Sequence, residues 1–282
     1  MPIVTFWSRR TRETAQTLSM IAIATHMAVE HNHKILIVDT YFDNPTISKC
    51  FWDDKLVGQN LAIKKLSQGK LDLGTGTSGL TQLVGSGKGS PELIKDYTKV
   101  IFKDRLEVLT NNTASSPSEL GRQEASFKEI IQTASKYYDY VFVDLQKGFE
   151  RPFISDILGI SDLIVMNLTQ RIVDLDEFKE LREKNKLFNA YKVLPIIGRY
   201  DKFSKYTKKN IARYLGDKGE IPAVSYNTLF FEHANEGMVS AYFMKFRKSI
   251  IESTDRNANF INEIALTTDE IFTRIQAIQM GF

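Results

Sequence analysis

Two aspartates end apolar runs of the sequence, at positions where a carboxylate could do chemistry. Asp39 follows Ile35–Val38, and Asp144 follows Tyr140–Val143. In an open parallel sheet, ligands bind beyond the carboxyl ends of the strands, so both carboxylates are expected at the ligand edge. Carboxylates in such a place hold Mg²⁺ or its waters. The alternative, in which each carboxylate only caps a neighbouring turn, stays open at this point.

The elements that must position these residues are short apolar runs alternating with longer helical patterns. The predicted strands are Ile3–Trp7, Lys34–Asp39, Arg105–Leu109, Tyr140–Leu145, Leu163–Leu168 and Val193–Ile197, with a short one at Ile221–Val224. The predicted helices are Ala15–Glu30, Pro117–Tyr137, Asp174–Asn189, Ser204–Leu215 and Asn257–Gln279. This alternation predicts an α/β fold, namely a three-layer, doubly wound, mainly parallel sheet with helices on both faces.

One stretch rich in Gly, Ser and Thr, Gly69–Ser90, could be a linker between two domains. Short helical patterns at Leu80–Val84 and Pro91–Tyr97 interrupt or follow it, which favours an elaborated surface loop instead. We therefore predict a single domain over residues 1–282.

Composition excludes several classes of protein. Of the 282 residues, 43% are hydrophobic and 25% are charged, with a formal net charge of +3, which is ordinary for a globular protein. The single cysteine, Cys50, excludes a disulfide framework and a cysteine-built metal centre within the chain. The sequence shows no signal-peptide pattern and no apolar run long enough for a transmembrane segment. We expect a cytoplasmic protein.

Several segments, in order and spacing, resemble the ParA/MinD family of deviant Walker ATPases, and within it the TadZ-type branch linked to pili and secretion. The segments are Phe6–Ser8, Ile35–Asp39, Ser78–Val84, Leu106–Thr110, Tyr138–Leu145 and Ser161–Val165. The resemblance covers nearly the whole chain. It implies a P-loop NTPase fold of the SIMIBI type and an ATP-binding site.

The phosphate loop departs from the family pattern. Family members read Gly-Lys-Gly-Gly-x-Gly-Lys-Thr where this chain has Arg10–Thr17, so every glycine and both lysines are replaced. The resemblance implies nucleotide contacts at Arg10, Thr11, Arg12, Ala15, Gln16 and Thr17. It implies magnesium ligands at Thr17, Asp39 and Asp144, the two aspartates being catalytic if the protein is active.

These replacements remove the features that grip a triphosphate. Glycines let successive backbone N–H groups turn toward the phosphates, and a lysine supplies positive charge that Gln16 lacks. ATP and magnesium are the cofactors that the resemblance implies, and the altered loop argues against both. Our leading hypothesis is a weakly hydrolysing or inactive ATPase fold that positions or recruits part of a secretion, pilus or partition apparatus. One alternative is an active ATPase in which Arg10 or Arg12 replaces the lysines.

A second alternative is a non-specific DNA adaptor. A helix beginning at Ser204 would place Lys205, Lys208 and Lys209 on one side, with Arg213 nearby, and ParA relatives bind DNA through basic surfaces. A solvated helix face explains the same charges. The resemblance also implies a homodimer and protein partners. The last helix has an acidic polar face, which favours packing on the sheet or a second subunit over membrane binding.

Overall fold

A computed structural model describes residues 1–9, 12–42, 46–52, 76–85, 90–111, 114, 116–188, 191–247 and 255–281. Its centre is a sheet whose strands are β1 (Ile3–Trp7), β2 (Ile35–Asp39), β3 (Lys99–Phe102), β4 (Leu106–Leu109), β5 (Tyr140–Asp144), β6 (Leu163–Leu168), β7 (Val193–Tyr200) and β8 (Ala223–Ser225). The eight strands lie in the order β3-β4-β2-β5-β1-β6-β7-β8. Every neighbouring pair is parallel except β3 and β4.

The helices are α1 (Gln16–Glu30), α2 (Thr46–Phe51), α3 (Gly76–Gly85), α4 (Pro117–Ala134), α5 (Pro152–Ile160), α6 (Ile172–Lys184), α7 (Lys208–Leu215), α8 (Thr228–Asn235), α9 (Val239–Phe246) and α10 (Arg256–Met280). Short 3₁₀ turns occupy Arg12–Thr14, Pro91–Tyr97 and Lys186–Phe188. Helix α4 begins as its sequence predicts, since Ser116 accepts a hydrogen bond from the backbone N–H of Glu119 and Pro117 follows the cap.

Two apolar cores lie on opposite faces of the sheet and give the fold its three layers. One core joins Leu36 and Val38 to helices α4 to α7, and the other joins Val4 and Phe6 to α1 and α8 to α10. Strands β1, β2, β4 and β6 are buried along their whole length, as expected where helices cover both faces. The predicted α/β architecture is confirmed.

Some predicted elements need correction. The helix predicted from Ser204 begins at Lys208, because the Thr207 side chain caps it by accepting from the N–H of Asn210. The helix predicted at Asp174–Asn189 runs from Ile172 to Lys184. Strand β3 and helices α2, α5, α8 and α9 were not predicted.

The Gly-, Ser- and Thr-rich stretch Gly69–Ser90 contains helix α3, and the 3₁₀ turn Pro91–Tyr97 follows it. Its remaining parts, 69–75 and 86–89, lie outside the described residues. The last helix, α10, buries Phe260, Ile264 and Ile271 in the core that it shares with α1. This agrees with the expectation, drawn from its acidic polar face, that the helix packs on the sheet. In the described portion of the chain, the helices are too short or too polar to cross a bilayer.

Candidate functional site

Asp144 lies at the carboxyl end of β5, where the buried strand meets the start of α1. Its side chain is 1% exposed. The Thr17 hydroxyl donates to Oδ2 at 2.6 Å, and Nε2 of Gln16 donates to Oδ1 at 2.7 Å. Both carboxylate oxygens are therefore already paired with side chains from the first turn of α1.

Gln16 uses its amide entirely within the protein. Besides Asp144, Nε2 donates to the carbonyl oxygen of Leu145 at 2.8 Å, and Oε1 accepts from the Ser8 hydroxyl at 2.8 Å. Both amide protons and one acceptor position are thus satisfied, and the residue is 4% exposed. The amide joins the ends of β1 and β5 to the first turn of α1.

The backbone that leads into α1 turns through a left-handed residue. Ala15 has φ 49° and ψ 34°, a conformation usual for glycine that costs an L-residue about 1–2 kcal/mol. Gly198 of β7 contacts this turn directly. A Cβ added to Gly198 would lie 1.8 Å from the carbonyl oxygen of Thr14. The loop after β1 therefore rests directly on the backbone of β7, and only glycine permits that approach.

Asp39 lies opposite Asp144 in the ladder between β2 and β5. One of its oxygens accepts from the backbone N–H of Tyr41 at 2.9 Å. Thr40 ties the two strand ends together just beyond the ladder. Its hydroxyl donates to the carbonyl oxygen of Asp144 at 2.8 Å and accepts from the N–H of Gln146 at 2.9 Å.

The electrostatics of this pair follow from burial and from the neutral character of its donors. Burial raises the pKa of Asp144 from 3.8 to about 6, although hydrogen bonds from Thr17 and Gln16 and the charge of Lys147 oppose the increase. Burial, and then the negative charge of Asp144, raises the pKa of Asp39 well above its usual value. Ionisation of Asp144 therefore disfavours ionisation of Asp39 beside it.

A cavity of about 260 Å³ lies beside the start of α1, on its β8 side. Ala15, Leu18 and Ser19 line one wall, and the other lining residues come from Arg199, from β8 and the segment that follows it, and from Phe260 of α10. Tyr226 is half exposed there, with its ring centroid 5.7 Å from the guanidinium carbon of Arg199. The Ser19 hydroxyl is buried and has no hydrogen-bond partner among the described residues. Such a cavity suits a flat, mostly apolar group that carries one polar atom.

Comparison with solved structures places this geometry among known proteins. A ParA family ATPase from Chlorobium tepidum TLS superposes with a TM-score of 0.68 at 14% identity, over 94% of this chain and 98% of that one. The cell division ATPase MinD from Pyrococcus furiosus superposes with a TM-score of 0.65 at 15% identity, over 96% and 99%. The chain has the ParA/MinD fold.

A third structure with this fold is a plasmid partition protein from Borrelia burgdorferi bound to AMPPNP. It has a TM-score of 0.57 at 17% identity, and the match covers 94% of this chain and 98% of that one. No protein-family model matches the sequence, and no curated protein matches it either. At these identities the likeness concerns the ParA/MinD fold alone.

The ParA/MinD fold brings together five of the residues that the sequence singled out. Ala15, Gln16, Thr17, Asp39 and Asp144 meet at the carboxyl edge of the sheet. Arg10 and Thr11 lie outside the described residues, and for Arg12 only the backbone is described, in a 3₁₀ turn. The idea that Arg10 or Arg12 replaces a lysine therefore stays a prediction.

The predicted basic face does not form as expected. Lys208 lies in the first turn of α7, but its ammonium group donates to Oε1 of Glu263 on α10 at 2.8 Å and so turns away from the solvent face. Lys205 precedes the helix. Only Lys209 and Arg213 share an exposed side of α7, one turn apart.

Three residues that shape the carboxyl edge of the sheet were not identified from the sequence. Ser8 and Thr40 each directly follow a predicted strand, and this position alone could have marked them as edge residues. Gly198 follows a predicted strand in the same way, at the end of Val193–Ile197. Its role depends on the close approach of the Thr14 carbonyl, which no local pattern reveals.

Proposed function

We propose that this protein is a ParA/MinD-fold positioning or recruitment factor that does not hydrolyse ATP efficiently. The observation that carries the proposal is the position of Gln16. It stands where the family loop has its second lysine, and its amide is engaged by Asp144, Leu145 and Ser8. A neutral group that is fully bonded inside the protein cannot neutralise charge on a phosphate.

The residues present do not fit a bound magnesium triphosphate. A magnesium ion would need ionised carboxylate oxygens and a hydroxyl lone pair directed at it. Each oxygen of Asp144 already accepts one hydrogen bond, from Gln16 or Thr17, and burial raises the pKa of Asp39 well above its usual value. In phosphoryl transfer, positioning and charge stabilisation supply nearly all the catalysis. The arrangement supports a site that lacks both the positioning and the charge stabilisation.

Weak nucleotide binding without cleavage remains part of the proposal. The cavity beside Ala15 and Tyr226 has room for a planar base, and the free N–H groups at the start of α1 favour an anion. Among proteins of the same fold, the Borrelia burgdorferi partition protein was solved with AMPPNP, and MinD from Pyrococcus horikoshii OT3 was solved with Mg-ADP.

The cellular role that we propose rests on the kinds of protein that share the fold. They include septum site-determining and plasmid partition proteins, and the Aquifex aeolicus MinD was solved in complex with MinC. A chain of this fold that keeps its framework without hydrolysis would serve as a cytoplasmic, homodimeric scaffold for a secretion, pilus or partition apparatus. Its attachment to a protein partner then matters more than turnover.

The test is phosphate release by the purified protein with ATP and Mg²⁺, together with titration of a fluorescent ATP analogue. We expect no release above that of Asp144→Asn prepared in parallel, which controls for a contaminating ATPase. Turnover that Asp144→Asn abolishes would refute the proposal. If that turnover also fell in Arg10→Ala or Arg12→Ala, with weaker binding of the analogue, the arginines would have replaced the lysines.

A further inference from the structure

A groove of about 380 Å³ lies between α6 and α7, the helices that follow β6 and β7, and neither Gln16 nor Asp144 lines it. We call it the α6–α7 groove. Its lining is mostly apolar, with two polar side chains at the mouth. The lining residues are Ile172, Leu175, Tyr206, Ile211 and Tyr214, together with Lys205 and Asn210.

The floor of the α6–α7 groove is buried, and residues next to its lining in sequence expose apolar side chains. Leu175 and Ile211 belong to the buried core beneath it. Beside the lining residues in sequence, Val173 is 58% exposed and Phe203 is 87% exposed. Apolar side chains exposed next to an apolar concavity are typical of a docking surface rather than of a solvated face.

The cations around the groove form no ion pairs with the described residues, although Lys205 lies over the ring of Tyr206. Lys205, Lys209 and Arg213 are exposed, and none of them forms an ion pair within the described part of the chain. A fourth cation, Lys179 of α6, places its ammonium nitrogen 4.8 Å from the ring centroid of Tyr214. Positive charge therefore borders the groove on both helices.

Three carboxylates of α6 have partners within the protein. Asp176 accepts a hydrogen bond from the Tyr214 hydroxyl, and Asp174 accepts one from the Thr169 hydroxyl. Glu180 pairs with Lys184 one turn away. Because a neutral hydroxyl does not cancel charge, Asp176 stays negative beside Tyr214. The groove thus offers an apolar floor and a rim on which the exposed cations Lys205, Lys209 and Arg213 outnumber this carboxylate.

We propose that the α6–α7 groove binds an acidic amphipathic helix of a partner protein. Such a helix inserts apolar side chains spaced three and four residues apart and leaves its carboxylates at the rim, opposite Lys205, Lys209 and Arg213. This inference deepens the recruitment role proposed above and rests on it. It does not depend on whether the Gln16 edge binds or cleaves nucleotide.

The geometry favours a peptide over DNA. A DNA backbone is held by closely spaced cations, and its phosphates gain nothing from an apolar floor. Lys208, which would complete a basic row on α7, is bound to Glu263. The exposed ring of Phe203 and the space between Ile172 and Tyr214 have no role in a phosphate contact.

The experiment measures binding of a synthetic fluorescent helix with a leucine stripe and glutamates elsewhere, by anisotropy. Two variants separate charge from shape. The rim variant combines Lys205→Glu, Lys209→Glu and Arg213→Glu, and its control of equal net charge combines Lys103→Glu, Lys128→Glu and Lys136→Glu, which are also exposed. The block variant, Asn210→Trp, fills the groove without changing charge.

We expect the rim variant and the block variant each to weaken peptide binding at least about tenfold, and the control triple to leave it unchanged. A short DNA duplex in the same assay should bind less tightly than the peptide. Circular dichroism and thermal unfolding of each variant show that it is folded.

Other results would overturn the inference. No peptide binding at millimolar concentration, or binding insensitive to Asn210→Trp, would exclude an apolar docking groove. Tighter DNA binding that the rim variant abolishes and the block variant leaves intact would assign the face to nucleic acid. Self-association lost in Asn210→Trp would assign it to a second copy. Gln16→Lys should leave peptide binding unchanged, because Gln16 does not line the groove. A negative result in the peptide assay therefore does not decide the outcome of the phosphate-release test.

Discussion

Nε2 of Gln16 lies 2.7 Å from Oδ1 of Asp144, and this contact joins the start of α1 to the end of β5. With the Thr17 hydroxyl on the other oxygen, it supplies the carboxylate with neutral donors alone. Gln16 therefore bridges helix and strand without contributing a positive charge.

If the Gln16 bridge supports the loop, Gln16→Ala should destabilise the protein by about 2–4 kcal/mol. The change leaves Asp144, the Leu145 carbonyl and the Ser8 hydroxyl buried with lost partners, and each unsatisfied group costs about 1–3 kcal/mol. Urea unfolding measures the difference. Gln132→Ala, on the exposed side of α4, is the matched control and should change stability by less than about 0.5 kcal/mol.

Removal of the buried charge should have the opposite effect at neutral pH. The pKa of Asp144 rises on folding from 3.8 to about 6, so the folded state binds the proton more tightly. Stability due to this group is therefore greatest at low pH and falls as the pH rises through this window. Asp144→Asn should be more stable than the native chain above about pH 6, by at most about 3 kcal/mol, and should lose the slope between about pH 4 and 6.

The measurement is thermal or urea unfolding of both chains across pH 4 to 8. A native protein whose stability rises relative to Asp144→Asn over this range would contradict the assignment, because that sign requires a lowered pKa in the folded state.

A methyl group at Gly198 should displace the loop before α1. The new Cβ of Gly198→Ala would lie 1.8 Å from the Thr14 carbonyl oxygen, a backbone atom that cannot rotate away. We expect a loss of about 2–3 kcal/mol. Gly121→Ala, inside α4 with no atom within 4 Å of the added Cβ, should gain up to about 1 kcal/mol. Equal effects at the two glycines would rule out a special contact at Gly198.

Acid should lower the stability of the protein through His26, a buried residue of α1. Burial lowers the pKa of this imidazole, with the charge of His31 adding to the effect and Glu30 and Asp269 opposing it. The neutral form is therefore favoured in the fold, and its contribution is lost as pH falls below the unfolded value. His26→Leu should reduce the loss of stability between about pH 7 and 5, measured by urea unfolding. A steeper loss in the variant would argue against this cause.

The sheet could be predicted because its strands are buried on both faces and therefore appear as uninterrupted apolar runs. Strand β3 escaped prediction because it is an edge strand in which Lys99 and Val100 are exposed, so no such run exists. Helices α8 and α9 have eight residues each and depend on contacts such as that of Phe230 with Tyr242, which bring together positions distant in sequence.

The candidate site was partly predictable for a similar reason. Asp39 and Asp144 end strands, and Thr17 begins a helix, so their meeting at one edge follows from the topology. The direction of the Gln16 amide does not follow, because it depends on the Ser8 hydroxyl and the Leu145 carbonyl at the ends of two different strands. The turn of Lys208 toward Glu263 likewise depends on a contact between two helices that pack on opposite faces of the sheet, α7 and α10.

Glu263 connects α7 to the cavity beside Tyr226 through a single side chain. One of its oxygens accepts from Lys208 on α7, and the other accepts from the N–H of Ser225, which lines the cavity beside Tyr226. A partner that displaces α7 would shift the Glu263 carboxylate and, through it, the backbone of Ser225 in the cavity wall. Thermodynamic reciprocity then requires that whatever fills the cavity alter the partner's affinity by the same factor. A protein of this design could act as a ligand-responsive tether without breaking a covalent bond.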